Sequence, residues 1–128
     1  MLSRRDLALA LVSLPMTVRA FAAEKVGYSP DAFDAAQKAG KPILVEIHAP
    51  WCPTCKAQTP ILSKLEAEPQ YAGLKVFHVD FDSQKDAVRR FGARMQSTLI
   101  VFKGEAEAGR SVGDTNPDSI AALLSKTL

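Results

Sequence analysis

Three stretches of apolar residues set the frame of this chain. The run "KPILVEIHA" at 41–49 is nearly unbroken and rich in β-branched residues, which suits a strand covered on both faces. The run "LKVFHVDFD" at 74–82 alternates strongly enough to be a second buried strand. "STLIVFKGEAEAGRSVG", at 97–113, reads as a hairpin turning near Gly104. Helical signals fill the gaps. Ser29-Pro30-Asp31 places Ser at an N-cap and Pro at the first helical position, and the helix "PDAFDAAQKA" should stop at Gly40. A second helix is expected from about Cys52 to Glu68, kinked by Pro60 and ended by Pro69. "SQKDAVRRFG" predicts a short helix closed by Gly92, and Asn116-Pro117 opens a last helix that ends with the chain. The order α-β-α-β-α-β-β-α calls for parallel crossovers plus a closing antiparallel hairpin. That is an α/β fold with a mixed sheet between two helical layers.

The first 22 residues follow another pattern. Arg4 and Arg5 precede an apolar run at 7–18, and Ala20-Phe21-Ala22 offers small residues where a signal peptidase inspects the chain. An export signal peptide at 1–22 is expected, cut after Ala22; the alternative is a short helix. "SRRDLA" resembles a twin-arginine signal but lacks the Phe and Lys usual after it. The run of 12 residues is closed by Arg19, short of the roughly 20 that a spanning helix needs. No stable membrane insertion is therefore expected after processing. Removing residues 1–22 takes away three arginines and one aspartate, leaving 13 basic and 13 acidic side chains. With no basic run or aromatic-interleaved patch left, nucleic acid is not an implied partner. Residues 23–128 read as a single domain, expected to be a monomer in the periplasm or otherwise exported.

Both cysteines lie in "APWCPTCK", at 49–56. Three residues apart on a helix, they share one face at a separation compatible with a disulfide's Cα distance of roughly 5.5 Å. Cys52 would sit at the helix start, where free N–H groups and the helix dipole favour a thiolate well below the free pKa of about 8.5. Cys55, one turn deeper, would be the resolving thiol. A structural staple is the bland alternative, although closing so short a loop removes little chain entropy. The rival from another class is a metal-binding or metal-delivery module, in which both thiolates and the imidazoles of His48 and His78 would suit Cu(I) or Zn(II).

"VEIHAPWCPTCKAQTPIL", followed by "STLIVFKGE" and "VGD", resembles the thioredoxin family over about residues 29–128. The C-x-x-C follows a buried strand, opens a helix, carries Trp51 before it and has Pro60 five residues after Cys55. The resemblance implies the thioredoxin fold: a mixed central sheet with helices on both faces, in three α/β/α layers. It also implies a thiol:disulfide oxidoreductase that exchanges disulfides with cysteine-containing protein substrates and is reset by a redox-regenerating partner. The dithiol would carry the electrons, so neither a bound cofactor nor a metal is expected. Trp51, Pro53, Thr54, Gln96 and Ser97 fall where the family shapes its site and meets substrate. The Pro53-Thr54 pair also resembles exported reductases serving cytochrome c maturation, without the insertion those proteins carry.

Three departures stand out. The family's first strand is absent or reduced to 25–28, and the aromatic expected four residues before the first cysteine is His48. The proline that normally precedes "TLIVF" is Ser97. A non-proline cis bond costs about 3–4 kcal/mol, so a trans Gln96–Ser97 bond is expected, with cis kept open. The lost ring should leave the sulfurs less shielded, and the Ser97 hydroxyl could donate to a thiolate.

Glu46 sits mid-strand among residues that should be buried. An ionised carboxylate there is costly unless paired, which would push its pKa upward. The resemblance implies the buried acid that relays a proton for Cys55; a plain ion pair is the other reading. His78 either pairs with Glu46, making the relay sensitive near pH 6–7, or is a satisfied core histidine. His48 either stabilises the Cys52 thiolate or simply packs. Trp51 shapes the surface or packs as a core aromatic, and Asp80 and Asp82 read as strand-end and cap residues.

Overall fold

The computed structural model describes residues 12–15 and 22–128. The leader expected at 1–22 lies almost entirely outside them. In chain order the elements are β1 (Glu24–Gly27), α1 (Pro30–Lys38), β2 (Pro42–His48), α2 (Pro53–Glu66), β3 (Lys75–Asp80), α3 (Lys85–Arg90), β4 (Thr98–Lys103), β5 (Ala106–Val112) and α4 (Pro117–Ser125). The sheet order is β1-β3-β2-β4-β5, which puts β2 at the centre. β2 runs parallel to β3, β3 parallel to β1, and β4 antiparallel to both β2 and β5. This is the mixed sheet the strand and helix order implies. The reduced first strand is present as four residues on the sheet edge, one position ahead of the expected 25–28.

The pleat divides the core in two. Ile43, Val45 and Ile47 of β2 join Phe77, Val79 and Ile100 beneath α1 and α3. Leu44 joins Val76, Leu99 and Val101 beneath α2 and α4. Both faces of β2 are thus covered, which is why its sequence reads as an unbroken apolar run. Glu46 and His48 share Leu44's face, so alternation alone sends them toward α2.

The caps expected from sequence are in place. Ser29 accepts from the Ala32 N–H, and the Asn116 side chain accepts from those of Asp118 and Ser119. Gly40 and Gly92 end α1 and α3 in left-handed conformation, each with the paired 6→1 and 5→2 bonds of a Schellman cap. α2 continues through Pro60 to Glu66, two residues short of the expected end. Gly104 makes the hairpin turn at φ 61°, where an added Cβ would come within 3.3 Å of Gly40 Cα. Among the described residues no helix is long and apolar enough to cross a membrane.

Phe33 anchors the α1 layer. Its ring meets those of Tyr28, Phe77, Phe91 and Phe102 with centroids 5.1–5.9 Å apart. Phe33→Ala is expected to lower unfolding free energy by about 3–5 kcal/mol, the usual range for an emptied aromatic site. Exposed Val112→Ala should stay within about 0.5 kcal/mol of the parent. Urea denaturation of the two variants checks the contrast.

Candidate active site

β2 delivers the chain to its C-terminal edge at His48, and a tight turn follows in which the Cys52 N–H donates to the Ala49 carbonyl. α2 starts at once. Cys52 is its N-cap: the sulfur accepts the Cys55 N–H at 3.1 Å, taking the place of the usual capping oxygen, and Pro53 occupies the first helical position. Pro53 is exposed and Thr54 half-buried, while each cysteine is only 1% exposed. Both thiols are free. The expectation that losing the proline ring would leave the sulfurs less shielded is therefore corrected: both cysteines stay buried.

The two thiols differ electrostatically. Burial pushes Cys52 up, but hydrogen bonds outweigh it. They come from the Cys55 thiol, the Cys55 and Thr54 backbone N–H groups and the Gln96 side chain, and they hold Cys52 below its ordinary value. Cys55 is raised, by burial first and then by its hydrogen bond to Cys52 and by negative charge there. The arrangement therefore favours a thiolate at position 52 and a thiol at position 55.

Ser97 reaches this site on a loop, with Gln96 half-buried beside it. No peptide bond among the described residues is cis, so the Gln96–Ser97 bond is trans, as expected. Ser97 lies at φ 58°, in the left-handed region, which its neighbours in the chain do not signal. Three bonds hold it there. Its N–H donates to Ile47 O at 2.7 Å, and its carbonyl accepts from Gly113 N at 3.0 Å and from Gln58 Nε2 at 3.3 Å. The hydroxyl donates to the Gln96 carbonyl at 2.5 Å rather than to a sulfur, a second correction. Gln58, on the buried stripe of α2, also donates to Asp114 O at 2.9 Å and so ties the helix to the loops around Ser97.

Beneath Cys55 lies a cavity of about 210 Å³ lined by Lys25, Glu46, His48, Gln58 and His78 among others. Glu46 is 5% exposed, and its Oε2 pairs with Lys25 Nζ at 2.6 Å. The counter-ion thus comes from β1, not from His78, its neighbour in register on β3. His78 is held below its ordinary value by burial first, then by His48 and Lys25, against the pull of Glu46 and Asp80. Glu46 takes Lys25 as its ion-pair partner, so the Glu46–His78 pair expected to tune the relay near pH 6–7 is not formed. The His48 and His78 rings stand 5.0 Å apart, yet no group of three or more His, Cys, Asp or Glu side chains among the described residues is placed to hold a metal. The metal-delivery alternative finds no support in this geometry.

Glu66, which the sequence reading passed over, is buried at the last turn of α2. Burial first, and then its hydrogen bond to Glu46 and that group's charge, push its pKa up to about 8. A signal was available: Gln58, Leu62, Leu65 and Glu66 follow helical spacing on the buried face, and a glutamate there breaks the apolar pattern. On the opposite rim Trp51 is 55% exposed rather than packed in the core. Its indole N–H donates to Asp82 at 2.7 Å, while Asp80 caps the following turn by accepting from Asp82 and Ser83.

The family model for thioredoxin matches residues 25–126. The chain belongs to the thioredoxin family. A thioredoxin of Chlamydia muridarum is 39% identical over 84 residues, spanning 66% of this chain and 80% of that protein. The protein disulfide-isomerase tigA of Aspergillus niger is 34% identical over 120 residues, 91% of this chain and 33% of that larger protein. Among solved structures, Trxlp from Edwardsiella tarda EIB202 superposes with a TM-score of 0.77 at 42% identity, covering 79% of this chain and 98% of that one. Like these thioredoxin relatives, the protein is a thiol:disulfide oxidoreductase acting on cysteine-containing substrates.

Ser97→Pro, which would restore the family's usual residue, should destabilise the protein by about 3 kcal/mol. The ring fixes φ near −65° and removes the N–H that bonds Ile47. Ser97→Gly, at ease in the left-handed region, should change stability by less than about 1 kcal/mol. Urea denaturation of both separates backbone strain from side-chain loss.

Glu66 makes a pH-dependent contribution of known sign. Its folded pKa, about 8, lies above its ordinary 4.5, so its share of stability is full below about pH 4.5 and is lost as pH rises to about 8. Glu66→Gln should remove that decline, leaving the variant more stable than the parent by on the order of 2–4 kcal/mol at pH 8. Denaturation series at pH 5, 7 and 9 measure it.

Proposed function

We propose that this oxidoreductase works after export, and that Cys52 attacks while Cys55 resolves. The observation that carries the assignment is Cys52 as the N-cap of α2. Its sulfur faces the helix's free N–H groups and its thiol is held low, whereas Cys55 is held high. The Cys52 thiolate attacks a substrate disulfide, forming a mixed disulfide and releasing one substrate sulfur as a thiolate. Cys55 then loses its proton, attacks the Cys52 sulfur and closes the Cys52–Cys55 disulfide as the second substrate sulfur leaves and is protonated. Two electrons pass from the dithiol to the substrate, and the reverse sequence oxidises a substrate dithiol.

Glu46 takes the Cys55 proton. Both line the same cavity, which has room for a bridging water. Trp51, held by Asp82, and Gln96 with Ser97 form the rim that a substrate cysteine meets. The leader pattern supports export, and β1 begins at Glu24, so a cut after Ala22 spares every element of the fold. Substrates are then cysteines of exported proteins, and a membrane reductase or an oxidised partner resets the dithiol.

In the reduced protein, alkylation should label Cys52 much faster than Cys55. Cys52→Ser should abolish insulin reduction, Cys55→Ser should trap mixed disulfides, and Glu46→Gln should slow resolution about 10- to 100-fold. Equal alkylation rates at the two cysteines would sink the assignment. N-terminal sequencing of the protein recovered outside the cytoplasm should begin at Ala23.

A further inference from the structure

Glu46 and Glu66 both bury an Oε1 that has no hydrogen-bond partner. Two carboxylates cannot satisfy each other, because each only accepts. A single proton between them changes that: the protonated group donates and the ionised one accepts. Glu66 stands within hydrogen-bonding reach of Glu46, on the last turn of α2, and is 9% exposed against 5% for Glu46. Lys25 supplies one positive charge, through Glu46 Oε2. One cation beside two buried carboxyls leaves room for one negative charge, not two.

We propose that Glu66 is a positioning residue for the proton transfer at Cys55: protonated, it donates a hydrogen bond that holds Glu46 oriented and ionised, so that the pair works as a one-proton unit. This rests on the reading of Glu46 as the relay acid. The groups facing Glu66 are Glu46 from β2 and Lys25 from β1, while His48, His78 and Cys55 complete the surroundings of the cavity. While Glu66 is protonated, the Glu46–Lys25 ion pair carries no net charge, and Glu46 accepts the Cys55 proton. When Glu66 ionises, near pH 8, a second negative charge appears beside Glu46, behind the pocket, and opposes formation of the Cys55 thiolate. The Cys55 thiolate still forms the Cys52–Cys55 bond as the substrate sulfur leaves with the electron pair. Only the ease of losing the first proton changes.

An aromatic disulfide such as 5,5′-dithiobis(2-nitrobenzoate) tests this, because attack and resolution each release one coloured thiolate. Stopped-flow resolution rates are read from pH 6 to 10. The parent should show a transition near pH 8, above which the rate falls up to tenfold below that of Glu66→Gln, the scale of one pKa unit. Glu66→Gln keeps a donor but cannot ionise, so it should match the parent at pH 7 and lack the transition. Glu66→Leu should resolve about tenfold more slowly at pH 7, the scale of one hydrogen bond to a charged group. A transition near pH 8 that survives in Glu66→Gln, or parental resolution in Glu66→Leu, overturns the proposal. Glu46→Gln run alongside separates the two readings: slow resolution there with unaffected Glu66 variants rejects only the pair, while unchanged resolution in Glu46→Gln rejects the relay itself.

Discussion

A sulfur atom closes the start of α2, and the rest of the molecule is arranged around that junction. A helix N-terminus has N–H groups with no partner inside the helix, usually met by a hydroxyl or carboxylate. Here Cys52 meets one of them. The helix gains a cap, and the sulfur gains a donor that is stronger toward an anion than toward a thiol. Holding this junction in place requires a strand that cannot shift register. β2 meets that need, with pairing on both edges and side chains buried on both faces.

The same burial creates the electrostatic problem on α2's side of the sheet. A carboxyl in the central strand needs a counter-charge, and the sheet provides it two strands away, through Lys25. Glu66 then finds the Lys25 cation already committed to Glu46. Desolvation makes the neutral form the cheaper one, so a carboxylic acid persists at a pH where its exposed counterparts are ionised. The two thiols split in the same manner. Hydrogen bonds hold Cys52 low while burial holds Cys55 high, although the residues share a turn.

Most of this fold was legible in sequence because its elements obey local rules. The caps at Ser29 and Asn116, the closing glycines at 40 and 92 and the apolar runs of β2, β3 and β4 each carry their own short-range signal. The C-x-x-C spacing and Glu46 were equally readable, because their neighbours announce a helix start and a buried strand. What escaped was set by distant partners. Lys25 is an unremarkable strand residue until β1 docks on β3. Ser97 could be read as trans from the absence of proline, but its left-handed backbone depends on Ile47, Gly113 and Gln58, up to 50 residues away. Gln58 and Glu66 were detectable only by treating a polar residue on a buried helical stripe as a question.

β1 carries a consequence of its own. It is four residues long and, among the described residues, paired along one edge only, the geometry of a strand that frays before the rest of a sheet opens. Yet it holds the cation that balances the carboxyl behind the cysteines. When β1 peels away, the pocket loses its positive charge while β2, α2 and the disulfide-forming turn remain folded. The least anchored strand therefore sets how long the site keeps its charge balance, and amide exchange at Val26, whose N–H faces β3, is a measure of that lifetime.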